Sequence, residues 1–398
     1  MNKNWISPNT IIGTVATGDY YYPRTEIIND IWVELSKGNY ILIAAPRRVG
    51  KTSILRDLEQ NPHAGYIVKF ESIQAVKSEN EFYETLYRLI LSCLSISKKS
   101  KKWFAKYLKS RAITEIDFLT LNIKIEDKAF NYLEEINSIF RQLDDNSETI
   151  VLLLDELPEI LHNINKAGKT EEAKAILKQL RTWRQSEFKK LQFVLAGSIG
   201  IHYVVKTIEG RTADLNDLQK INCEPLDKTQ ALHYIDWATK KASVKYSENL
   251  KAYLIEKIQH YYTPYFINLM LDEIDKKARK ENAPDITNPD IDDAFNKVVK
   301  NNEHFADWKN RLSEYLPKSD FDFVHEILIH ITHRNFITIQ TIYDKASKHG
   351  KTSDYMDLIG DLEQDGYIVE EKEGNKKYVF ISPFLKTFYL RNNPIYNG

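Results

Sequence analysis

Apolar residues follow two spacings along this chain. Short unbroken runs at Ile41–Ala45, Gly65–Glu71 (GYIVKFE), Thr149–Glu156 (TIVLLLDE), Leu191–Ser198 (LQFVLAGS) and Leu218–Cys223 are bounded by glycine or polar residues. Such runs predict strands of a parallel sheet buried on both faces. Between them, apolar residues recur every three or four positions, which predicts helices. One helix carries Ile27, Ile28, Ile31, Trp32 and Leu35 and ends at Gly38; others cover Glu79–Leu94 and Glu171–Phe188. The first part of the chain therefore reads as an α/β domain.

Beyond Pro225 only the helical spacing remains. Lys228–Ala242, Ser247–His260 and Pro264–Lys280 are followed by a break at Pro284–Pro289 and a fourth helix, Asp290–Lys300. This predicts a small helical bundle. From about Asp320 come three helices, Phe321–Thr332, Ile339–His349 and Thr352–Gln364. Two short strands follow, Tyr367–Glu371 and Lys377–Ile381, joined by Glu373, Gly374 and Asn375. Three helices and a hairpin predict a winged helix-turn-helix. The expected organisation is a core over 1–226, a helical lid over 227–303 and a winged domain over 304–398.

The chemistry concentrates after the first strand, where the chain reads YILIAAPRRVGKTSILRDL. An apolar strand, a tight basic turn and an amphipathic helix opening on Gly50, Lys51, Thr52 and Ser53 make a phosphate loop. Its backbone N–H groups and the start of the helix favour an anion, so Ala45, Pro46, Arg47, Arg48, Val49, Gly50, Lys51, Thr52 and Ser53 are candidate nucleotide contacts. Lys51 would reach the β- and γ-phosphates, and the Thr52 hydroxyl would ligate magnesium. Ala45 stands where the pattern has its first glycine, which requires a negative φ there. Asp155 and Glu156 end the most apolar strand. Two charges in that place suit a magnesium carboxylate and a group that orients water. Ser198 ends another strand and would face the γ-phosphate or the attacking water. Tyr22 and Arg24 are candidates for the adenine or ribose, or equally for a packing cluster that docks the N-terminal segment.

Composition narrows the partners. The chain has 398 residues, a formal net charge of −1 and two cysteines, Cys93 and Cys223. No global field draws it to nucleic acid or membrane, and the cysteines make neither a metal spacing nor a disulfide framework. No apolar run approaches a membrane span, and MNKNWISPNT lacks the features of a signal peptide, so a cytoplasmic protein is expected. One basic run, Lys98, Lys99, Lys101, Lys102, Lys106, Lys109 and Arg111, is interleaved with Trp103, Phe104 and Tyr107. It could grip phosphate backbone or an acidic partner, or form a solvated face offset by the acidic stretch Glu126, Asp127, Glu134, Glu135, Asp144 and Asp145. The third helix of the expected winged domain carries Asp354, Asp357, Asp361, Glu363 and Asp365 and no Lys or Arg from Thr352 to Asp365. Carboxylates repel phosphates, so that helix is expected to contact protein and not DNA.

The runs APRRVGKTS, LLLDE and AGSIG, in the order core, helical lid, winged helix, resemble the AAA+-related P-loop ATPases of the archaeal-type ATPase and STAND group, relatives of the archaeal origin-recognition ATPases. The resemblance implies a five-stranded parallel sheet of order 5-1-4-3-2. It also implies roles: Lys51 and Thr52 as the Walker A lysine and hydroxyl, Asp155 as the magnesium carboxylate, Glu156 as the catalytic glutamate and Ser198 as the sensor-1 residue. Thr263-Pro264-Tyr265 is similar to the lid proline motif that abuts the base. The helix after Pro264 has no sensor-2 arginine, and the winged segment has no Met-His-Asp motif. Arg211 is the first candidate for a trans-acting finger, ahead of Arg181 and Arg184. The function implied is magnesium-dependent ATP binding and slow hydrolysis, driving a conformational or assembly switch through self-association or a partner protein. The alternative is an ATP-gated DNA-binding or scaffold module in a replication, transposition or defence complex.

Overall fold

The computed structural model describes residues 5–99, 101–110, 113–117, 122–125, 130–144, 146–188, 190–197, 200–210, 212–259, 261–301, 305–371 and 376–396. They fall into two compact units. The core unit comprises Pro23–Ala45 and Lys51–Cys223; the second comprises Met1–Tyr22, Pro46–Gly50 and Glu224–Gly398.

The core unit runs α1 (Thr25–Ser36), β1 (Ile41–Ala44), α2 (Lys51–Gln60), β2 (Tyr66–Ser72), α3 (Glu79–Ile96) and α4 (Lys101–Ser110). Next come β3 (Ile113–Asp117), β4 (Asn122–Ile125), α5 (Tyr132–Phe140), β5 (Thr149–Asp155), α6 (Leu157–Lys166), α7 (Thr170–Gln185), β6 (Leu191–Gly197), α8 (Ile201–Glu209) and β7 (Gln219–Asn222). The five parallel strands lie in the order β2-β5-β6-β1-β7. Counted within the sheet this is 2-3-4-1-5, which is the expected 5-1-4-3-2 read from the other edge. The antiparallel pair β3-β4 stands apart from it and has no counterpart in the apolar pattern.

The apolar runs become strands because both sheet faces are covered. In β5 every side chain from Ile150 to Leu154 is buried, as is all of β6. Each buried Val, Leu, Ile or Phe among them contributes about 1.5–3 kcal/mol of burial, which outweighs the weak helix preference of leucine. Register then aligns the carboxyl ends: Ala44 pairs with Gly197 and with Asn222, and Ser72 with Asp155. Gly197 is glycine for lack of space, since a Cβ there would lie 2.3 Å from Cδ of Pro158 in the first turn of α6.

The second unit contains α9 (Lys228–Thr239), α10 (Glu248–Ile258), α11 (Pro264–Glu281), α12 (Asn288–Lys300), α13 (Ala306–Tyr315) and α14 (Lys318–Arg334). It continues with β8 (Ile337–Thr338), α15 (Ile339–Lys348), α16 (Tyr355–Gln364), β9 (Ile368–Glu371), β10 (Lys377–Phe380) and α17 (Pro383–Asn392). The helix starts follow their caps: Asp227 and Gln230 form a capping box on α9, and Thr263 accepts from the Phe266 N–H ahead of Pro264 in the first turn of α11. The strands form an antiparallel sheet, β8-β10-β9, one strand larger than the expected hairpin. Helix α16 starts at Tyr355, three residues later than the spacing predicts, because residues 351–354 form a turn. The expected turn residues Glu373, Gly374 and Asn375 lie outside the described residues, as do Arg111, Glu126, Asp127 and Asp145.

One apolar cluster runs through all of this unit, with Phe266 stacked on Phe384 at 4.8 Å. The N-terminal segment joins it. Trp5 and Ser7 both donate to the Asp275 carboxylate, and Tyr22 packs edge-on against Tyr234 and Trp237. Among the described residues no helix is long and apolar enough to cross a membrane. Both cysteines are buried and neither forms a disulfide, and burial pushes the Cys93 thiol up to about 12.

Candidate nucleotide-binding site

Strand β1 delivers the chain into the loop Ala45–Gly50, and α2 opens on Lys51. The loop's left-handed residues are Arg48, with φ 66°, and Gly50, with φ 100°; Ala45 is not one of them. Alanine is thus compatible with the loop entry, as the substitution at the first glycine position requires. Lys51 is buried at the start of α2, and its ammonium donates to the Ala45 carbonyl at 3.1 Å. Ser53 is buried in the same turn.

Within the core unit the Thr52 hydroxyl donates to Oδ2 of Asp155 at 2.7 Å. The other carboxylate oxygen, Oδ1, accepts the Glu156 backbone N–H at 3.1 Å. Asp155 is only 3% exposed. Burial raises its pKa, the neighbouring Glu156 charge raises it further, and Thr52 and Lys51 pull the other way. A carboxylate held so far from water has more to gain from a cation than a solvated one. A hydroxyl and a carboxylate oxygen side by side are hard donors of the kind magnesium takes. The residues therefore fit that ion, which would be held by Thr52 and Asp155 and would neutralise charge on the phosphate oxygens. Among the described residues no three His, Cys, Asp or Glu side chains group as a metal cage. Magnesium in phosphate sites needs none, because substrate and water supply its remaining ligands.

Glu156 sits at φ 67° and ψ 30°, just ahead of α6. A glutamate there costs about 1–2 kcal/mol relative to the right-handed region, a strain that surrounding structure must hold. It turns the chain sharply out of β5 and fixes where the Glu156 side chain leaves the sheet edge.

The second unit holds the rest of the loop. The Tyr261 hydroxyl donates to the Arg47 carbonyl at 3.2 Å, and the Arg48 guanidinium lies 4.4 Å from the centre of the Tyr265 ring. Nε of Arg48 is buried with no hydrogen-bond partner, a donor that a phosphate oxygen could satisfy. Pro264, between these tyrosines, opens α11. The sequence signal for Tyr261 and Tyr265 as loop contacts is the aromatic run Tyr261, Tyr262, Tyr265 around Thr263-Pro264.

Tyr22 packs edge-on as described above, and Arg24 precedes the first turn of α1. Ser198 and Arg211 lie outside the described residues. Arg184 is almost wholly buried and makes a two-pronged pair with Asp217, at 2.8 and 2.9 Å, besides donating to the Asp214 carbonyl. Arg181 pairs with Asp214 at 2.7 Å. Both tie α7 to the turn before β7.

No protein-family model matches the chain, and no curated protein does. Solved structures do. The Walker-type ATPase PABY2304 of Pyrococcus abyssi aligns over 95% of this chain and 99% of its own, with TM-score 0.59 and 18% identity. The fold is that of a Walker-type P-loop ATPase. The ORC2 protein of Aeropyrum pernix, solved as ADPNP–ADP complexes, aligns over 98% of this chain and 96% of its own, with TM-score 0.54 and 11% identity. The alignment thus covers α9 to α17 as well as the five-stranded sheet, and the fold is consistent with nucleotide binding.

Proposed function

We propose that the chain binds ATP with magnesium and hydrolyses it slowly to ADP and phosphate. The observation that carries this reading is the 2.7 Å bond between Thr52 and Asp155, beside a buried Lys51. Loop N–H groups and Lys51 hold the phosphates, Thr52 and Asp155 hold the metal, and Glu156 orients the attacking water and draws its proton. Ser198 is the polar residue at the γ-phosphate, Arg211 the first candidate for a finger donated to a second subunit, and Pro264 the lid residue beside the base. Arg181 and Arg184 stay behind Arg211 as finger candidates, because each is paired within the chain. The likeness to an ORC2 protein solved with ADPNP and ADP supports the nucleotide class.

The C-terminal helices and three-stranded sheet are a winged helix-turn-helix used for protein contacts, in self-association or with a partner protein, and nucleotide state switches them. Helix α16 and its end carry carboxylates where a DNA reader needs cations. Isothermal calorimetry with Mg–ATP on the wild type and on Lys51→Ala tests the binding, and turnover of Glu156→Gln tests the chemistry. Binding lost in the first variant, and kept without turnover in the second, is the expected pair. A second reading, an ATP-gated nucleic-acid binder, is favoured by one feature: Lys98, Lys99, Lys106 and Lys109 are exposed around α4 while Phe104 and Tyr107 are buried.

A further inference from the structure

After α17 the chain lies against the C-terminal turns of α14, and two histidines hold it there. The Nε2–H of His333 donates to the Asn393 carbonyl at 2.8 Å, and the Tyr396 hydroxyl lies 2.7 Å from Nδ1 of His330. The Tyr396 ring stacks on His333, with centres 5.1 Å and planes 9° apart, and meets His330 edge-on at 5.9 Å. The Arg334 guanidinium lies 5.9 Å from the centre of the same ring. Pro394 and Ile395, between these anchors, are exposed, Ile395 at 76%, so the histidine contacts carry the hold. The surroundings of His330 oppose its protonation. Burial lowers its pKa, and Lys345 on α15 and Arg334 lower it further, while Glu326, one turn back on α14, pulls the other way. That glutamate is already shared between the Lys345 ammonium and Nε2 of His349.

We propose that residues 393–396 form a strap that is docked on α14 while His330 is neutral and lets go when that ring takes a proton. A neutral imidazole accepts the phenolic hydrogen on Nδ1. Once charged, that nitrogen is a donor, the hydroxyl must turn its own hydrogen away, and the ring stays cut off from the water a cation needs. Undocking restores that water. His333 keeps its bond in either form, because Nε2 donates to the Asn393 carbonyl whether or not Nδ1 is protonated. His330 is thus the switch and His333 the tether. The docked state has the lowered pKa, so docking is fully favourable above the ordinary histidine value of about 6.5 and is lost as pH falls through the lowered one. Release bares the two imidazoles and the face of α14 beside Arg334, and frees Ile395 with the strap. The device involves no residue of the phosphate loop and stands apart from the nucleotide reading.

The test is the fluorescence anisotropy of a pH-insensitive thiol dye on Ile395→Cys in the full chain, followed from pH 7.5 to pH 5. Both native cysteines are buried, so the dye reports the strap. Anisotropy is expected to be high at pH 7.5 and to fall with a midpoint below the ordinary histidine value. Adding His330→Gln, which keeps an acceptor for the Tyr396 hydroxyl but takes no proton, should hold the anisotropy high throughout. Adding Tyr396→Ala should leave it low throughout. In histidine-labelled protein the same Tyr396→Ala change should raise the His330 pKa measured by NMR. A signal that is flat in the Ile395→Cys chain overturns the strap as a pH device. So does a fall that survives in His330→Gln, whether it comes from His333 or from loss of the whole fold, and so does a His330 pKa that Tyr396→Ala leaves in place.

Discussion

Thr52 and Asp155, 103 positions apart, are joined by a 2.7 Å hydrogen bond that ties the first turn of α2 to the end of β5. The bond sets a hydroxyl and a carboxylate side by side, a pair of hard oxygen donors of the kind magnesium takes. What it leaves unresolved is the charge on Asp155, which burial and Glu156 both oppose.

Asp155 therefore weakens the nucleotide-free fold at neutral pH. Its pKa is raised in the folded state, so the protonated form is favoured by folding. That stability is fully present below the ordinary carboxylate pKa and is lost as pH rises through the raised value. Asp155→Asn should melt higher than the wild type without ligand, by a margin that widens from pH 4 to pH 7. The variant should lose the stabilisation that Mg–ADP gives the wild type, about 2.7 kcal/mol at a hundred times the dissociation constant. Scanning calorimetry across that pH range, with and without Mg–ADP, checks both.

Glu156 gives a prediction in which stability and activity part. Glycine tolerates the left-handed backbone that costs glutamate about 1–2 kcal/mol, but it loses about 0.5–1 kcal/mol more chain entropy on folding. Glu156→Gly should accordingly be more stable by about 0.5–1 kcal/mol in urea, with no ATP turnover. A variant that is less stable would mean that the Glu156 side chain makes contacts worth more than the strain.

The core was legible because its strands are apolar runs enclosed on both faces, and α6, α8 and α17 were missed for the opposite reason: they are short amphipathic pieces between clearer signals. Asp155 and Glu156 stand out in the sequence because charges at the end of a buried strand need a purpose. Strand order came from the resemblance alone, as no periodicity encodes which strands pair. Tyr261, Gly366 and Pro46 could not be found as a group. Their contact spans more than 300 positions, and nothing local in a glycine or a tyrosine announces its distant neighbour. Tyr22 shows how one signal serves two ends, since an aromatic cluster that stacks on a base and one that packs edge-on against Tyr234 and Trp237 look alike in sequence.

Arg184 tests whether α7 contributes structure or chemistry. Burial alone would hold the Asp217 carboxyl up, but Arg184 more than offsets this and its pKa is lowered overall. The stability this pair supplies is present above the ordinary carboxylate pKa and is lost as pH falls through the lowered value. Arg184→Ala should cost about 1–3 kcal/mol, and Arg184→Lys should recover little, because a point charge cannot replace a two-pronged guanidinium. Per folded molecule, mixtures of Arg184→Ala with the wild type should turn over ATP as the sum of their parts. A loss beyond that sum would restore Arg184 as a finger acting between subunits.

Lys98, Lys99, Lys106 and Lys109 decide between the two functional readings. All four are exposed, on or just before a helix whose Phe104 and Tyr107 are buried, with Tyr107 bonded to Glu135 and Tyr87. Reversing Lys106 and Lys109 to glutamate should thus leave the fold intact, since neither side chain supports the core. If these lysines track a nucleic-acid backbone, log affinity for duplex DNA should fall with log salt by about 0.9 per phosphate contacted, and the double variant should lose about two contacts' worth of that slope. With nucleotide-gated protein contact as the main role, the wild type should bind duplex only at low salt, equally with and without Mg–ATP. Fluorescence anisotropy at three salt concentrations separates the outcomes: binding at physiological salt that depends on ATP and on these lysines would promote the second reading over the first.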